Sequence, residues 1–185
     1  MFLDKFKDSP KGKYIIIMII IGLVIVLLTY LLIFIPTEAA VPTYGILDYE
    51  FAWTPDRVAK ILLAWGPEGR FRQTLAIYWD FLFIVGYSSL ALGLILLILR
   101  KSDEKVQTIG LYFTLTPFLT GIFDIIENIN LLIMLDSSII SPIVSNTNSF
   151  LASFSALIKF GLLFAAITYF IVALIIIIIK RFKKA

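Results

Sequence analysis

The stretch TGIFDIIENINLL, residues 120–132, places Asp124, Glu127 and Asn128 inside a run that is otherwise typical of a membrane-spanning helix. Thr120, Asp124, Glu127 and Asn128 fall at positions i, i+4, i+7 and i+8, so they form one stripe of that helix. Charged groups inside a membrane are costly and usually mark a functional site. The stripe indicates either a pocket or path for a ligand, or an ion-pair network that holds helices together.

Two further ionisable residues lie in other apolar segments at a matching depth. Asp80 follows the start of the second segment by about five residues, and Lys159 follows the start of the fourth by about nine. At 1.5 Å per residue, Asp124 and Glu127 lie roughly 12–17 Å below the outer end of the third. We therefore predict that these four side chains meet in the outer half of a helical bundle.

The residue types suggest acid–base or head-group chemistry. We assign Asp80 and Glu127 as candidate catalytic residues, which act as acid and base or hold a polar head. The candidate ligand-binding residues are Asp124, Asn128, Lys159, Tyr87 and Arg72. If all three carboxylates ionise, one lysine leaves two negative charges uncompensated in a poorly solvated site. One carboxyl group then keeps its proton, or Arg70 or Arg72 reaches in, or a cation binds.

The composition indicates which kind of secondary structure carries these groups. Of 185 residues, 60% are hydrophobic and 16% are charged, which is typical of a membrane protein rather than a soluble one. A spanning helix needs about 20 mostly apolar residues. Four stretches qualify, and together they predict an all-α, four-transmembrane-helix bundle that forms one integral membrane domain over residues 1–185. The predicted spans are 14–35, 75–99, 106–135 and 150–179.

The outer loop, residues 36–74, is predicted to contain an interfacial helix that acts as a lid. Thr54 is a capping residue, Pro55 occupies the first helical position, and Gly66-Pro67 ends the helix. Val58, Ile61, Leu62 and Trp65 recur at helical spacing, which predicts an amphipathic helix in the outer membrane interface. In the third span, Pro117 predicts a kink.

Lysine and arginine set the expected orientation. They are frequent in the first 13 residues, in the 100–105 loop and in the last five residues, and they are absent from the Asp136–Ser149 loop. The positive-inside rule then places both termini in the cytoplasm of a cell-membrane protein. The first apolar run exceeds the usual apolar region of a signal peptide, so we expect a retained helix.

Several function classes are disfavoured by what the chain lacks. There is no cysteine and no histidine, which removes the commonest thiolate, general base and metal ligands. No glycine-rich phosphate loop, metal motif or serine-elbow motif is present. We therefore expect no cofactor, no metal and no nucleic-acid partner. The sequence does not decide whether the protein forms a homo-oligomer.

The segment GILDYEFAWTPDRVAKILLAWGPEGR, followed by IYWDFLFIVGY and FDIIEN, resembles an uncharacterised family of prokaryotic four-helix integral membrane proteins. This resemblance covers residues 45–131. A looser resemblance is to the EXPERA group, the sterol-isomerase and sigma-2-receptor fold. It implies four spans, a loop of about this length after the first, and carboxylates that face a cavity. The histidine of the isomerases has no counterpart here.

Three functions are consistent with the sequence. The first is binding, or acid–base conversion, of a membrane lipid, an isoprenoid-like amphiphile or another hydrophobic small molecule. The second is a small transporter or a proton or cation pathway through the same carboxylates; the weak polarity of the inner half and the lack of an internal repeat disfavour it. The third is a structural subunit of a membrane complex.

Overall fold

The structure, a computed structural model, describes residues 2–41, 43–137 and 143–184, and its regular structure there is entirely helical. Pro42, in the predicted outer loop, lies outside the described residues. After a short 3₁₀ turn at Phe2–Lys7, the helices are α1 (Gly12–Thr29), a π-helical turn (Tyr30–Phe34), α2 (Ile35–Ala39), α3 (Ile46–Glu50), α4 (Pro55–Leu99), α5 (Glu104–Phe113), α6 (Thr116–Leu135) and α7 (Asn146–Lys184).

Among the described residues, four helical stretches are long and apolar enough to cross a membrane. They are Gly12–Ala39, Pro55–Leu99, Glu104–Leu135 and Asn146–Lys183. Each contains one predicted span. Large apolar side chains, such as Ile20, Phe118 and Ile171, are exposed along the outside of the bundle. Exposed apolar surface of this extent indicates a membrane protein.

Helix α1 packs along α4 through a close backbone approach. A Cβ added at Gly22 would lie 2.6 Å from the carbonyl oxygen of Gly86 and 2.7 Å from the amide nitrogen of Leu90. Both are backbone atoms and cannot rotate away. Small residues allow such contact between apolar helices. On the other side of the bundle, α6 packs along α7.

The third apolar stretch is broken at Thr114–Leu115, where α5 ends and α6 begins. Pro117 occupies the first turn of α6, where its missing N–H leaves no intrahelical bond unmade. The Thr114 hydroxyl donates to the Leu111 carbonyl at 2.6 Å, and the Ser88 hydroxyl donates to the Pro117 carbonyl at 3.1 Å. The α6 helix, which carries the polar stripe, thus begins one residue before Pro117.

The predicted lid forms the first arm of α4. Thr54 caps it by accepting from the Arg57 amide at 3.4 Å. At Gly66, φ is +60° and ψ is −171°, a conformation that L side chains rarely adopt, and the helix axis bends there before Pro67. The Gly66-Pro67 signal thus produces a kink between two arms rather than a loop.

The apolar stripe of the first arm faces protein. Val58, Ile61 and Leu62 are fully buried, in one core with Tyr49 and Leu131. Full burial stabilises each aliphatic side chain by about 1.5–3 kcal/mol. This arm and α3 therefore cover the end of the bundle formed by the C-terminus of α6 and the N-terminus of α7. We call α3 and this arm the lid, residues 46–65.

Candidate functional site

A cavity of about 430 Å³ lies under the lid, in the half of the bundle next to it. This volume is in the range of small-molecule sites. Most of its wall is apolar or aromatic. The apolar and aromatic lining residues are Tyr30, Phe34, Ile46, Leu47, Ala76, Ile77, Phe83, Tyr87, Phe160 and Leu163. The polar lining residues are Thr37, Glu38, Glu50, Gln73, Asp80, Asp124, Asn128 and Lys159.

Lys159 is the centre of a buried ion network beside this cavity. Its ammonium donates to Asp124 Oδ1 and to Glu127 Oε1, each at 2.9 Å, and lies 3.5 Å from Glu50 Oε1. The residues come from α7, α6 and α3, and each is at least nine-tenths buried. One ammonium thus binds three carboxyl groups. Its removal would leave them without a cation in a poorly solvated site.

Two further hydrogen bonds of the site link α4 to α6. The Asn128 amide donates to Asp80 Oδ2 at 2.6 Å, and the Tyr87 hydroxyl donates to Asp124 Oδ2 at 2.9 Å. Asp80 is half-buried, and within the described residues its Oδ1 has no hydrogen-bond partner. A carboxylate with one free oxygen at a cavity wall is able to accept a hydrogen bond from a ligand.

The lid contributes Glu50, which the sequence analysis did not select. Its side chain lines the cavity and is 7% exposed. Burial raises the pKa of Glu50, Lys159 acts against that shift, and Asp124 adds to it. The signal in the sequence was modest: Glu50 lies between the aromatic residues Tyr49 and Phe51, which favours burial of the segment.

Gln73 and Glu38 also line the cavity, and of the two Glu38 was not selected from the sequence. Glu38 Oε1 accepts from the backbone amide of Ile46 at 3.0 Å and from the Gln73 side chain at 3.2 Å. Gln73 precedes Asp80 by seven residues, close to two full turns, so both share one face of α4. These bonds tie the start of the lid to α2 and α4.

The π-helical turn places two aromatic rings on the wall. Tyr30 and Phe34 are its first and last residues and both line the cavity. The Phe34 ring packs edge-on against Phe83 at 5.1 Å, and Phe83 packs against Tyr87 at 5.6 Å. π-Helical turns inside α-helices are frequent at functional sites. Here the turn presents an aromatic wall opposite Phe160 of α7.

The lid is fastened by hydrogen bonds to both neighbouring helices. The buried Tyr49 hydroxyl donates to the Leu131 carbonyl at 2.9 Å, and the Trp53 amide donates to the Ser153 hydroxyl at 2.9 Å. Trp53 adopts a φ of +58°, which costs a bulky residue about 1–3 kcal/mol. Such a cost persists only where surrounding contacts hold the conformation, so the position of the lid is well determined.

The structure brings Asp80, Tyr87, Asp124, Asn128 and Lys159 to the cavity wall. Glu127 is not among the lining residues. It is 0% exposed and connects to the cavity through Lys159. Direct contact between Glu127 and a ligand therefore does not fit this geometry, because Lys159 occupies its accessible side.

The two arginines considered for the site point elsewhere. Arg72 lies on the surface and donates to Glu68 at 2.8 Å. It precedes Asp80 by eight residues, which turns it about 80° away from the Asp80 face. Arg70 is buried but donates to the carbonyl oxygens of Leu135 and Ser137, at 3.0 and 2.7 Å. It stabilises the C-terminus of α6, where helix carbonyls lack partners.

No family model, curated protein or solved structure matches the chain. The resemblances drawn from the sequence therefore stay predictions, and the chemistry of the site has to be argued from its own geometry.

Proposed function

We propose that this protein binds a lipid-like or isoprenoid-like amphiphile in the cavity under the lid. The observation that carries the proposal is the division of the cavity wall into two parts. One part is aromatic and aliphatic, with Phe34, Phe83, Phe160 and Leu163; the other holds Asp80 and its polar neighbours. An apolar wall with a few convergent polar groups is the usual form of a small-molecule site.

The polar part favours a head group that donates hydrogen bonds. Asp124 is already occupied by Lys159 and Tyr87, whereas Asp80 is held by Asn128 and keeps one oxygen free among the described contacts. Asp80 is therefore the residue best placed to accept from a ligand. Asn128 orients it, and Lys159 pairs with the neighbouring Asp124.

Acid–base conversion of the bound amphiphile is a second function of the same site. Its support is that the carboxyl of Asp80 and the hydroxyl of Tyr87 line one wall. Both side chains are able to transfer a proton to or from a group within hydrogen-bond reach. A transport path has less support, because the lining residues belong to the half of the bundle next to the lid.

The orientation is part of this proposal. The lysine and arginine distribution supports cytoplasmic termini in a cell membrane, with the lid on the outer side. The first arm of α4 would then lie at the outer interface. Exposed Leu63 and Trp53 on the lid are suited to contact with lipid there. An amphiphile would thus reach the cavity from the outer leaflet.

Native mass spectrometry tests the proposed binding. Wild-type protein purified in mild detergent should carry an adduct of amphiphile mass. Asp80→Asn should lower its occupancy about tenfold or more, because a hydrogen bond to a charged group contributes about 1.5–3 kcal/mol. Asp136→Asn, at an exposed carboxyl outside the cavity, is the matched control. Wild-type occupancy in Asp80→Asn would contradict the proposal.

A further inference from the structure

The strongest additional feature is a pair of buried carboxyl oxygens that accept no hydrogen bond. Among the described residues, Glu50 Oε2 and Glu127 Oε2 are both buried and have no hydrogen-bond partner. Glu127 Oε2 lies 2.9 Å from the Lys159 ammonium, but its hydrogen bond from that group goes to Oε1. Buried polar atoms without a partner are rare and costly, so each requires an explanation.

The side chains of Glu50 and Glu127, which carry these oxygens, are neighbours. Both carboxyl groups adjoin the same ammonium: the Lys159 nitrogen lies 3.5 Å from Glu50 Oε1 and 2.9 Å from Glu127 Oε2. Ionised carboxylates accept hydrogen bonds and donate none. Two ionised groups beside one ammonium would repel each other, and Glu50 Oε2 would accept no hydrogen bond.

The charge count also indicates that the carboxyl groups around Lys159 are not all ionised. Lys159 binds Glu50, Asp124 and Glu127, so three ionised carboxylates would leave two negative charges uncompensated. One proton placed between Glu50 and Glu127 removes one of those charges. It also converts the unsatisfied contact into a hydrogen bond from a carboxylic acid to a carboxylate. Adjacent carboxyl groups elsewhere share a proton for this reason.

We propose that Glu50 and Glu127 form a proton-binding site in which one shared proton fastens the lid to the bundle. Glu50 belongs to α3 of the lid and Glu127 to α6. Loss of the proton would leave two adjacent carboxylates that repel each other. This repulsion would weaken the attachment of the lid to α6. This inference does not depend on the amphiphile, because the shared proton is bound by two side chains of the protein itself.

Other ionisable groups face the pair, and the test has to separate them. Lys159 of α7 and Asp124 of α6 contact or neighbour it directly. Asp80 and Tyr87 of α4, and Glu38 of α2, line the same cavity as Glu50. Each is a group on which the proton could reside instead, and substitution of each tests that alternative.

The sign of the pH dependence follows from the linkage between proton binding and folding. Burial raises the pKa of Glu50 above its ordinary value of 4.5. A group with a raised pKa binds more protons in the folded state, so its contribution is complete below the unfolded pKa. That contribution is lost as the pH rises through the folded pKa. Stability should therefore fall as the pH rises from mildly acidic to alkaline.

Glu50→Gln provides the decisive comparison. An amide has nearly the shape of a carboxylic acid and donates to Glu127 at every pH, so it imitates the shared proton permanently. We expect the wild-type unfolding midpoint to fall with rising pH and the Glu50→Gln midpoint to be nearly constant. At alkaline pH the variant should be at least as stable as the wild type. Glu68→Gln, at an exposed carboxyl, should follow the wild-type curve.

Three results would overturn the proposal. They are a wild-type pH dependence that persists in Glu50→Gln, a Glu50→Gln variant less stable than the wild type at alkaline pH, and a dependence removed by Asp80→Asn instead. If Glu50→Gln fails to fold, infrared spectroscopy of the wild type tests whether a protonated carboxyl group is present. A carbonyl band of a protonated carboxyl group that disappears at alkaline pH supports the proposal, and absence of that band at mildly acidic pH contradicts it.

Discussion

Lys159 on α7 and Asp124 on α6 form a 2.9 Å ion pair in which both side chains are buried. The pair lies at the wall of the cavity, and Lys159 also holds Glu127 and Glu50. It therefore connects α6 and α7 to the lid through one ammonium.

Lys159→Met should lower the free energy of unfolding by about 3–5 kcal/mol, because it leaves buried carboxyl groups without their counter-charge. The loss should be smaller at acidic pH, where protonated carboxyl groups need no cation. The measurement is denaturant unfolding in detergent micelles. Arg72→Met is the matched control: it breaks the exposed pair with Glu68 and should cost about 0–1 kcal/mol. Equal, small losses in both variants would refute this role of Lys159.

Gly22→Ala should separate α1 from α4. The added methyl group would lie 2.6 Å from a backbone carbonyl oxygen of α4, so the helices have to move apart. Overpacking of this kind costs about 1–3 kcal/mol. Gly161→Ala is the matched control, because an added Cβ there meets no atom within 4 Å. Thermal unfolding of both variants checks the prediction, which fails if Gly22→Ala is as stable as Gly161→Ala.

Single cysteines at Ser102 and Ser145 should react from opposite sides of the membrane. The wild-type chain has no cysteine, so no background labelling arises from it. A membrane-impermeant thiol reagent added to intact cells should label the Ser145 variant, and the Ser102 variant should need permeabilised cells. This result follows from the asymmetry of lysine and arginine. Labelling of both variants from one side would contradict the four-span orientation.

The meeting of Asp124, Asn128 and Lys159 could be predicted from sequence, because each lies in a long apolar helix of regular period. The rise per residue then fixes depth, and the period of 3.6 fixes the face. The interruptions near Gly66 and Pro117 were predicted in position only: Gly66-Pro67 was expected to end the helix but kinks it, and Pro117 was expected to kink a helix that in fact begins beside it.

The contribution of Glu50 could not be predicted in this way. It lies in a five-residue helix whose position is set by distant contacts, such as the bond from Tyr49 to the Leu131 carbonyl. No periodicity within the lid encodes that contact. Arg72 is a different case: the helical period alone turns it about 80° away from the Asp80 face of α4, so its surface position could have been predicted.

An amphiphile whose head meets Asp80 should be visible in a structure of the protein in lipid nanodiscs determined by electron cryo-microscopy. We predict elongated density along Phe34 and Phe160, with its polar end within hydrogen-bond distance of the free Asp80 oxygen. The same density should be weak or absent in Asp80→Asn. A cavity that contains water alone, or that has closed with Phe34 against Phe160, would contradict the claim.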